Sequence, residues 1–419
     1  MIKKITIDQL QPGMFLHNAD SAWNDDLPIP QSGMINKELD VQSIRKHGVK
    51  EVYIDTQKGS DAADAPTEDE VQAELAAQMM ELGEGEAVQQ AAPARFADKK
   101  APMSEELAKA SSVKKQARQL VGNVLEDARL GKQVPVGPVK DVVEGMVDSM
   151  FRNEDAMLSL SQIKQKDEYT FMHSVNVGVF LMAFCRSMEM DEQTIIDVGV
   201  GALLHDIGKM RTPPEVLNKP GRLTDEEFQI MRDHVVYSNK ILTEAPGISE
   251  AAIQVASQHH ERFDGTGYPH NLKGDDIDLF GQMSAIVDVY DAITSDRCYH
   301  KGMIPHVALQ KMLEWSKHHF KVELYQSFVK CVGIYPLGTL VRLKNGLLGV
   351  VVESSRESLL HPVLRIIIDA NKRRKLRPTT VNLMDKRQNS EGYVIIQQES
   401  TRRWGVDPKR FMPQPELYD

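Results

Sequence analysis

At 419 residues, with 41% hydrophobic and 26% charged side chains, the chain has room for two or three domains and the composition of an ordinary globular protein. A formal charge of -10 excludes the basic character that would recommend nucleic acid or an anionic membrane as a general partner, so an anionic substrate must be attracted locally. The three cysteines (Cys185, Cys298, Cys331) form no pairing motif and favour a reducing, cytoplasmic setting, no apolar run is long enough for a membrane span, and the polar-interrupted start lacks a signal-peptide core.

Residues 1–56 read as a small α/β module. Ile5, Ile7 and Leu10 precede a turn at Pro12-Gly13, and Met14, Phe15 and Leu16 resume an extended pattern. Asp40 to His47 is helix-like with a stop at Gly48, and Val49 to Ile54 alternates as a strand. His17 and His47 are isolated and read as surface or packing residues. Residues 57–103 are rich in Ala, Glu, Gln, Asp and Pro and poor in large apolar side chains, so they read as a mostly disordered linker with a transient helix over Glu68 to Met80.

Residues 104–150 read as two connecting helices. Ser104 is the expected N-cap of the first, which Gly131 stops; Val139, Val142, Val143, Met146, Val147 and Met150 make the apolar stripe of the second. Residues 151–333 read as consecutive helices with no strand alternation: Asp191 is a cap, Thr224 with Glu227 a capping box, and Pro305 a helix start. Residues 334–419 change to strands, with Lys344-Asn345-Gly346 as a hairpin turn between Leu337–Leu343 and Leu347–Val352, then Val363–Ile368. The basic cluster Lys372 to Lys375 reads as a solvated turn.

Polar residues fall in odd places within the helical region. His205-Asp206 directly follow the apolar Ala202-Leu203-Leu204, His234 lies on the apolar face of its helix, Asp288 interrupts Ala285 to Tyr290, and His173 begins a helix rich in Val, Phe and Met. The stretch His259-His260-Glu261 continues through Asp264-Gly265-Thr266-Gly267-Tyr268-Pro269. A lone histidine on an apolar face is usually a hydrogen-bonded core residue, and a lone buried carboxylate left unpaired costs several kcal/mol, so each singly has an ordinary explanation. Five imidazoles and two carboxylates in one domain are explained together by a shared metal centre. Seven nitrogen and oxygen ligands exceed what one ion takes, which indicates two divalent ions, iron or manganese before zinc, with a carboxylate to bridge them. Such a pair lowers the pKa of a shared water and braces an in-line displacement at phosphorus, so the reaction class is phosphoester hydrolysis.

The same residues resemble the HD superfamily of metal-dependent phosphohydrolases. From about Tyr169 to Lys301 they resemble its HD-GYP branch, which hydrolyses cyclic di-GMP; Asp291-Ala292-Ile293-Thr294-Ser295 and Arg297 also fit. The chain thus reads as multidomain: the resemblance makes the central all-α region an HD-type bundle, beside the small N-terminal α/β module and the small C-terminal antiparallel β extension read from the patterns above. The resemblance implies His173, His205, Asp206, His234, His259, His260 and Asp288 as metal ligands, with Asp206 bridging and a hydroxide shared by the ions attacking phosphorus. Lys209, expected one turn after His205 on the same helix face, becomes a charge stabiliser or proton donor; a helix-end lysine facing water is the plain alternative. Arg297, Tyr268, Lys301 and Asp167 become substrate contacts, although Arg297 can pair with Asp296 or Asp291 and Tyr268 can simply pack the loop. The products implied are pGpG and further GMP. Diguanylate cyclase (GGDEF) proteins are candidate partners at the signature loop, a homodimer stays open, and a non-catalytic receptor or a hydrolase of another nucleotide are the alternatives. Leu10-Gln11-Pro12-Gly13-Met14 and Gly48 to Asp55 resemble a small domain of unknown function often found ahead of this one, implying a regulatory or interaction role. Three departures stand out: Tyr169 replaces a glutamate that helps hold a third ion, Cys298 and His300 replace a proline and a basic residue, and Gly302-Met303 replaces a small apolar continuation.

Overall fold

The computed structural model describes residues 1–19, 27–84, 101–162, 169–296, 302–354, 358–385 and 392–412. The N-terminal module contains β1 (Ile2–Thr6), β2 (Phe15–Asn18), β3 (Gly33–Met34), α1 (Glu38–Lys46) and β4 (Glu51–Asp55). Its sheet has the order β1-β4-β2-β3 and is antiparallel throughout, with Ile5 opposite Val52 and Leu16 opposite Ile54. Alternation buries Ile5, Leu16, Val52 and Ile54, and Val41 and Ile44 of α1 share the same core. Gly48, with φ +80°, ends the α1 segment where the sequence places a stop.

Within the expected linker, the stretch given a transient helix is a packed helix, α2 (Glu68–Glu84), while residues 85–100 lie outside the described residues. Leu75 and Met79 are almost fully buried, and the helix packs on β1 and on α12 (Pro305–Trp315). Few apolar side chains suffice here because both partners are supplied by distant parts of the chain. Two long helices follow, α3 (Met103–Arg129) and α4 (Val136–Arg152). Ser104 lies inside the first turn of α3 rather than at its cap; Pro102 holds the cap position, where Ala101 is tied by its N–H to the Arg152 carbonyl at 3.1 Å. Between these helices Glu106 is buried and paired with Arg152 at 2.8 Å and with the Ser149 hydroxyl at 2.7 Å.

The helical domain continues with α5 (Glu154–Gln162), α6 (Tyr169–Ser187), α7 (Glu192–Leu204), a short α8 (Pro214–Leu217), α9 (Asp225–Thr243), α10 (Glu250–Gln258), α11 (Leu279–Thr294), α12 and α13 (Val322–Val332). The expected caps are present. Asp191 accepts from the Thr194 N–H, Thr224 and Glu227 form a reciprocal capping box, and Pro305 opens α12. The middle helices, α6, α7 and α11, are buried nearly all round, which explains their lack of a polar face. No helix among the described residues is long and apolar enough to cross a membrane.

The C-terminal unit is a five-stranded antiparallel sheet: β5 (Leu340–Leu343), β6 (Leu347–Glu353), β7 (Val363–Asp369), β8 (Arg374–Asn382) and β9 (Ile395–Glu399), in the order β8-β7-β6-β5-β9. Lys344-Asn345-Gly346 is the β5–β6 turn, with Gly346 at φ +84°. Of the basic cluster, Lys372 and Arg373 sit in the turn before β8 and Arg374 and Lys375 open that edge strand, all exposed.

Candidate metal centre

Five helices deliver the seven sequence-predicted ligands to one place. His173 comes from α6, His205 from the end of α7, Asp206 from the residue after it, His234 from α9, His259 and His260 from the end of α10, and Asp288 from α11. Six of them fall into two groups of three, and Asp288 lies beside both. His173, His205 and Asp206 have ligand atoms within 4.8 Å of one another, and so do His234, His259 and His260. The groups adjoin through His205 and His259, whose ring centroids are 4.8 Å apart.

The histidines are pre-set as ligands by their own backbones. The Nδ1 atoms of His205, His234 and His259 face the carbonyls of Ala202, Met231 and Ala256 at 2.7, 2.6 and 3.0 Å. A carbonyl can only accept, so Nδ1 carries the proton and each Nε2 keeps its lone pair. Those three Nε2 atoms, together with His260 Nδ1 and Asp206 Oδ1, are buried and have no hydrogen-bond partner among the described residues. So many orphaned acceptors turned toward each other in one cavity would be costly without a cation, which is the physical case that this donor set fits divalent metal.

Each carboxylate faces both groups. Asp206 Oδ2 lies 3.4 Å from His205 Nε2 and 3.9 Å from His173 Nε2, while its Oδ1 lies 3.4 Å from His234 Nε2 and 3.9 Å from His259 Nε2. Asp288 Oδ1 is 3.0 Å from His173 Nε2, and its Oδ2 is 3.9 Å from His260 Nδ1. Burial opposes the charge on Asp206, but Lys209 and then His205 and His234 hold its carboxyl well below the usual range. Asp288 is likewise buried yet held low, by His173 first. Burial, then Lys209, lowers His234 to about 4, and burial also drives His259 and His260 well below their ordinary value, keeping these rings neutral as ligation requires. His173 goes the other way: burial disfavours its charge, but Asp288 and Asp291 outweigh it and raise the ring to about 9. Two carboxylates that hold a proton there also suit a cation.

Lys209 is not on α7. That helix ends at Leu204, and Lys209 belongs to a separate 3-10 turn, Ile207–Arg211, where its Nζ pairs with Asp206 Oδ2 at 2.7 Å. The break is made by Gly208, whose backbone lies so close to α9 that a Cβ would sit 1.9 Å from the His234 carbonyl. This approach sets Asp206 against His234.

The signature loop is built around Glu261. Its two carboxylate oxygens, buried, accept from the His270 and Leu272 N–H groups at 2.8 and 3.0 Å, closing the loop. Gly265 has φ +84°, and a Cβ on Gly267 would lie 2.3 Å from the Arg262 nitrogen, so the tight bend inferred for these glycines is present. Tyr268 is turned inward. It is 8% exposed and stacks on His260 at 4.7 Å, favouring the packing alternative over ligand contact. Arg297, Lys301 and Asp167 lie outside the described residues, as do Cys298, His300 and the Tyr169 side chain.

Asp291, Glu261 and Gly208 carry structural roles that sequence reasoning missed. Asp291 Oδ2 meets His173 Nδ1 at 2.8 Å and fixes that ring; the available signal was its position three residues after Asp288, on the same face of α11. Asp291→Ala should weaken metal held by the His173 group by about 10–100-fold while sparing the His234 group. Chelator competition on the two variants Asp291→Ala and wild type measures this.

Residues 157–324 match the model of the HD domain, residues 2–139 that of a domain of unknown function, DUF3391, and residues 340–390 that of a KOW domain associated with HD domain. The chain is 38% identical over 384 residues to the cyclic di-GMP phosphodiesterase PA4108 of Pseudomonas aeruginosa, covering 91% of this chain and 89% of that one. It is 28% identical over 193 residues to a 3'3'-cGAMP-specific phosphodiesterase 2 of Vibrio cholerae, covering 46% of this chain and 37% of the relative. Among solved structures, Bd1817, an HDG"Y"P protein from Bdellovibrio bacteriovorus, aligns over 78% of this chain and 98% of its own with a TM-score of 0.44 and 14% identity. Near-full-length similarity to PA4108, together with the HD and DUF3391 matches on this chain, places this protein in the family of HD-domain, HD-GYP-like cyclic di-GMP phosphodiesterases that carry an N-terminal DUF3391 domain.

Proposed function

We propose that the protein hydrolyses cyclic di-GMP in the cytoplasm, opening the ring to linear pGpG and proceeding further to GMP. The observation that carries this is the pair of three-residue groups, buried except for the half-buried His260, with both oxygens of Asp206 turned between them, in a chain similar to PA4108 along nearly its whole length. His173, His205 and Asp206 would hold one divalent ion and His234, His259 and His260 a second, with Asp206 shared and Asp288 completing the set. When bound, the ions supply Lewis acidity that activates water and neutralises charge on the phosphodiester.

The chain's own residues do the rest. Backbone carbonyls fix the ring tautomers in advance, so little reorganisation accompanies ligand binding. Lys209 Nζ, beside Asp206 and partly exposed, is placed to meet negative charge developing on a phosphoryl oxygen and to supply a proton to the departing one. His260, the most exposed of the five ligand histidines at 15% of its side chain, marks the open side from which a dinucleotide would enter. Arg297 and Lys301 are suited to phosphate, and Asp167 to guanine.

The test is a comparison of turnover on cyclic di-GMP, 3'3'-cGAMP and nucleoside triphosphates with products identified. Cyclic di-GMP should have the highest kcat/KM and yield pGpG first. Cleavage of 3'3'-cGAMP alone would move the protein to the specificity named for its Vibrio cholerae relative, and tight binding without turnover would make it a receptor.

A further inference from the structure

The N-terminal module meets the catalytic domain at two places, and one of them is the signature loop itself. The first is a buried charge cluster on α12. Glu314, 1% exposed, receives the Lys4 ammonium at 2.7 Å, the Lys311 ammonium at 2.8 Å and the Tyr53 hydroxyl at 2.5 Å. Lys4 belongs to β1 and Tyr53 to β4, so paired strands of the module's sheet are pinned to α12. Breaking such a buried set by removing one partner leaves an uncompensated charge, which makes this anchor stiff.

From Tyr53, β4 runs back about 10 Å to Lys50 and the Gly48 turn. There the module touches two elements of the metal centre. Gly48 is packed against Thr266, so closely that a Cβ would lie 2.9 Å from the Thr266 Cβ, and Lys50 Nζ is 3.8 Å from Asp264 Oδ2. His47 stands edge-on to Phe228 of α9 at 6.1 Å, its Nε2 3.4 Å from Asp225 Oδ1 and its Nδ1 2.7 Å from the Ser43 carbonyl. Lys46 reaches the same Asp225 at 2.8 Å, and Arg222, just before α9, donates to the Ile29 carbonyl. The C-terminal end of α1 thereby faces the N-terminal end of α9, an arrangement in which the two helix dipoles attract.

The contact continues inward through rings. Phe228 is edge-on to Tyr268 at 6.1 Å, Tyr268 stacks on His260 at 4.7 Å, and Arg232 covers Tyr268 at 4.7 Å. We propose that the N-terminal module is a positioning arm of the active site: through His47 and Gly48 it holds α9 and the signature loop so that Tyr268 keeps the His260 ring aimed at its metal group. The exposed Lys46–Asp225 pair contributes little in water and Lys50 meets the half-buried Asp264 only at 3.8 Å, so the weight falls on the buried packing of His47 and Gly48. The Thr266 side of the loop is then already covered by the chain's own module, which limits what a diguanylate cyclase partner could reach there.

The catalytic consequence rests on the function proposed above, but the bracing of the loop does not, and the experiment separates them. In the full-length protein, His47→Ala should raise amide exchange in residues 264–272 about tenfold, a typical size for coupling between packed neighbours, while β1 and β4 stay as protected as in the wild type. Turnover should fall through kcat by a similar factor and metal should be held more weakly by the group containing His260, and His47→Phe, which keeps a ring against Phe228, should restore exchange and turnover. Gly48→Ala should loosen the same segment by a second route. Unchanged exchange in 264–272 in both alanine variants would overturn the proposal, and so would an equal loss of protection in β1 and β4, since His47 would then merely stabilise the module. Should the wild type leave cyclic di-GMP uncut, the substrate is wrong while the exchange data still decide the arm.

Discussion

Asp206→Asn should eliminate phosphodiesterase activity, by on the order of a thousandfold or more, and strip bound metal from both histidine groups at once. The substitution keeps the side chain's size and removes only its charge and one of its acceptor oxygens. One oxygen faces His205 and His173 and the other faces His234 and His259, whereas Asp288 reaches the second group at His260, 3.9 Å away. Loss of a terminal ligand such as His234 would be expected to empty one group and weaken the other, whereas loss of the shared carboxylate removes the only negative charge that lies within 4 Å of both His205 and His234 on separate oxygens. The amide would also remove the negative charge that the Lys209 ammonium meets at 2.7 Å. Metal content and kcat measured on the same preparation check this; full turnover with Asp206→Asn would rule out a two-ion mechanism.

Gly208→Ala should be nearly as damaging, although its side chain would touch no ligand atom. A methyl group there would stand 1.9 Å from the His234 carbonyl and 2.5 Å from the Ser238 nitrogen, both backbone atoms that no rotamer change can move. The 3-10 turn carrying Asp206 and Lys209 would have to retreat from α9, and the Gly208 N–H would lose its 2.9 Å bond to the Ser238 hydroxyl. Overpacking of this kind costs about 3 kcal/mol, and separating the turn from α9 pulls Asp206 away from His234. Denaturation should shift to lower urea and metal should be lost first from the His234 group. Gly137→Ala, at a position of α4 with nothing within 4 Å of the new Cβ, is the control and should be neutral or slightly stabilising. Wild-type stability and two-group metal occupancy in Gly208→Ala would contradict the packing described.

Much of this molecule could be read from local chemistry. Thr224 and Glu227 announced α9 because a capping box needs only four neighbouring residues, and Lys344-Asn345-Gly346 announced the β5–β6 turn because left-handed backbone favours glycine. The clustering of the seven proposed ligands was legible because histidines and carboxylates on apolar helix faces demand a common partner, and six of them form the two groups that Asp288 adjoins. What escaped was non-local. The helix α2 lies in a stretch with little apolar content, and it packs on the distant β1 and α12, with Leu75 and Met79 buried. Lys209 was read onto α7 because nothing in its own neighbourhood shows that Gly208 must press on α9. Gly48 and His47 read as a helix stop and a packing residue; that they meet Thr266 and Phe228 depends on pairings between residues far apart in the chain. Tyr268 showed its presence in the loop but not that it faces inward, because direction depends on His260 and Arg232.

The most direct test of the metal-centre account is metal analysis of anaerobically purified protein coupled to product identification with cyclic di-GMP. The expected result is two divalent ions per chain, iron or manganese first, with cyclic di-GMP converted to pGpG and activity lost when a chelator removes the ions. Undiminished cleavage of cyclic di-GMP by metal-free protein would contradict it.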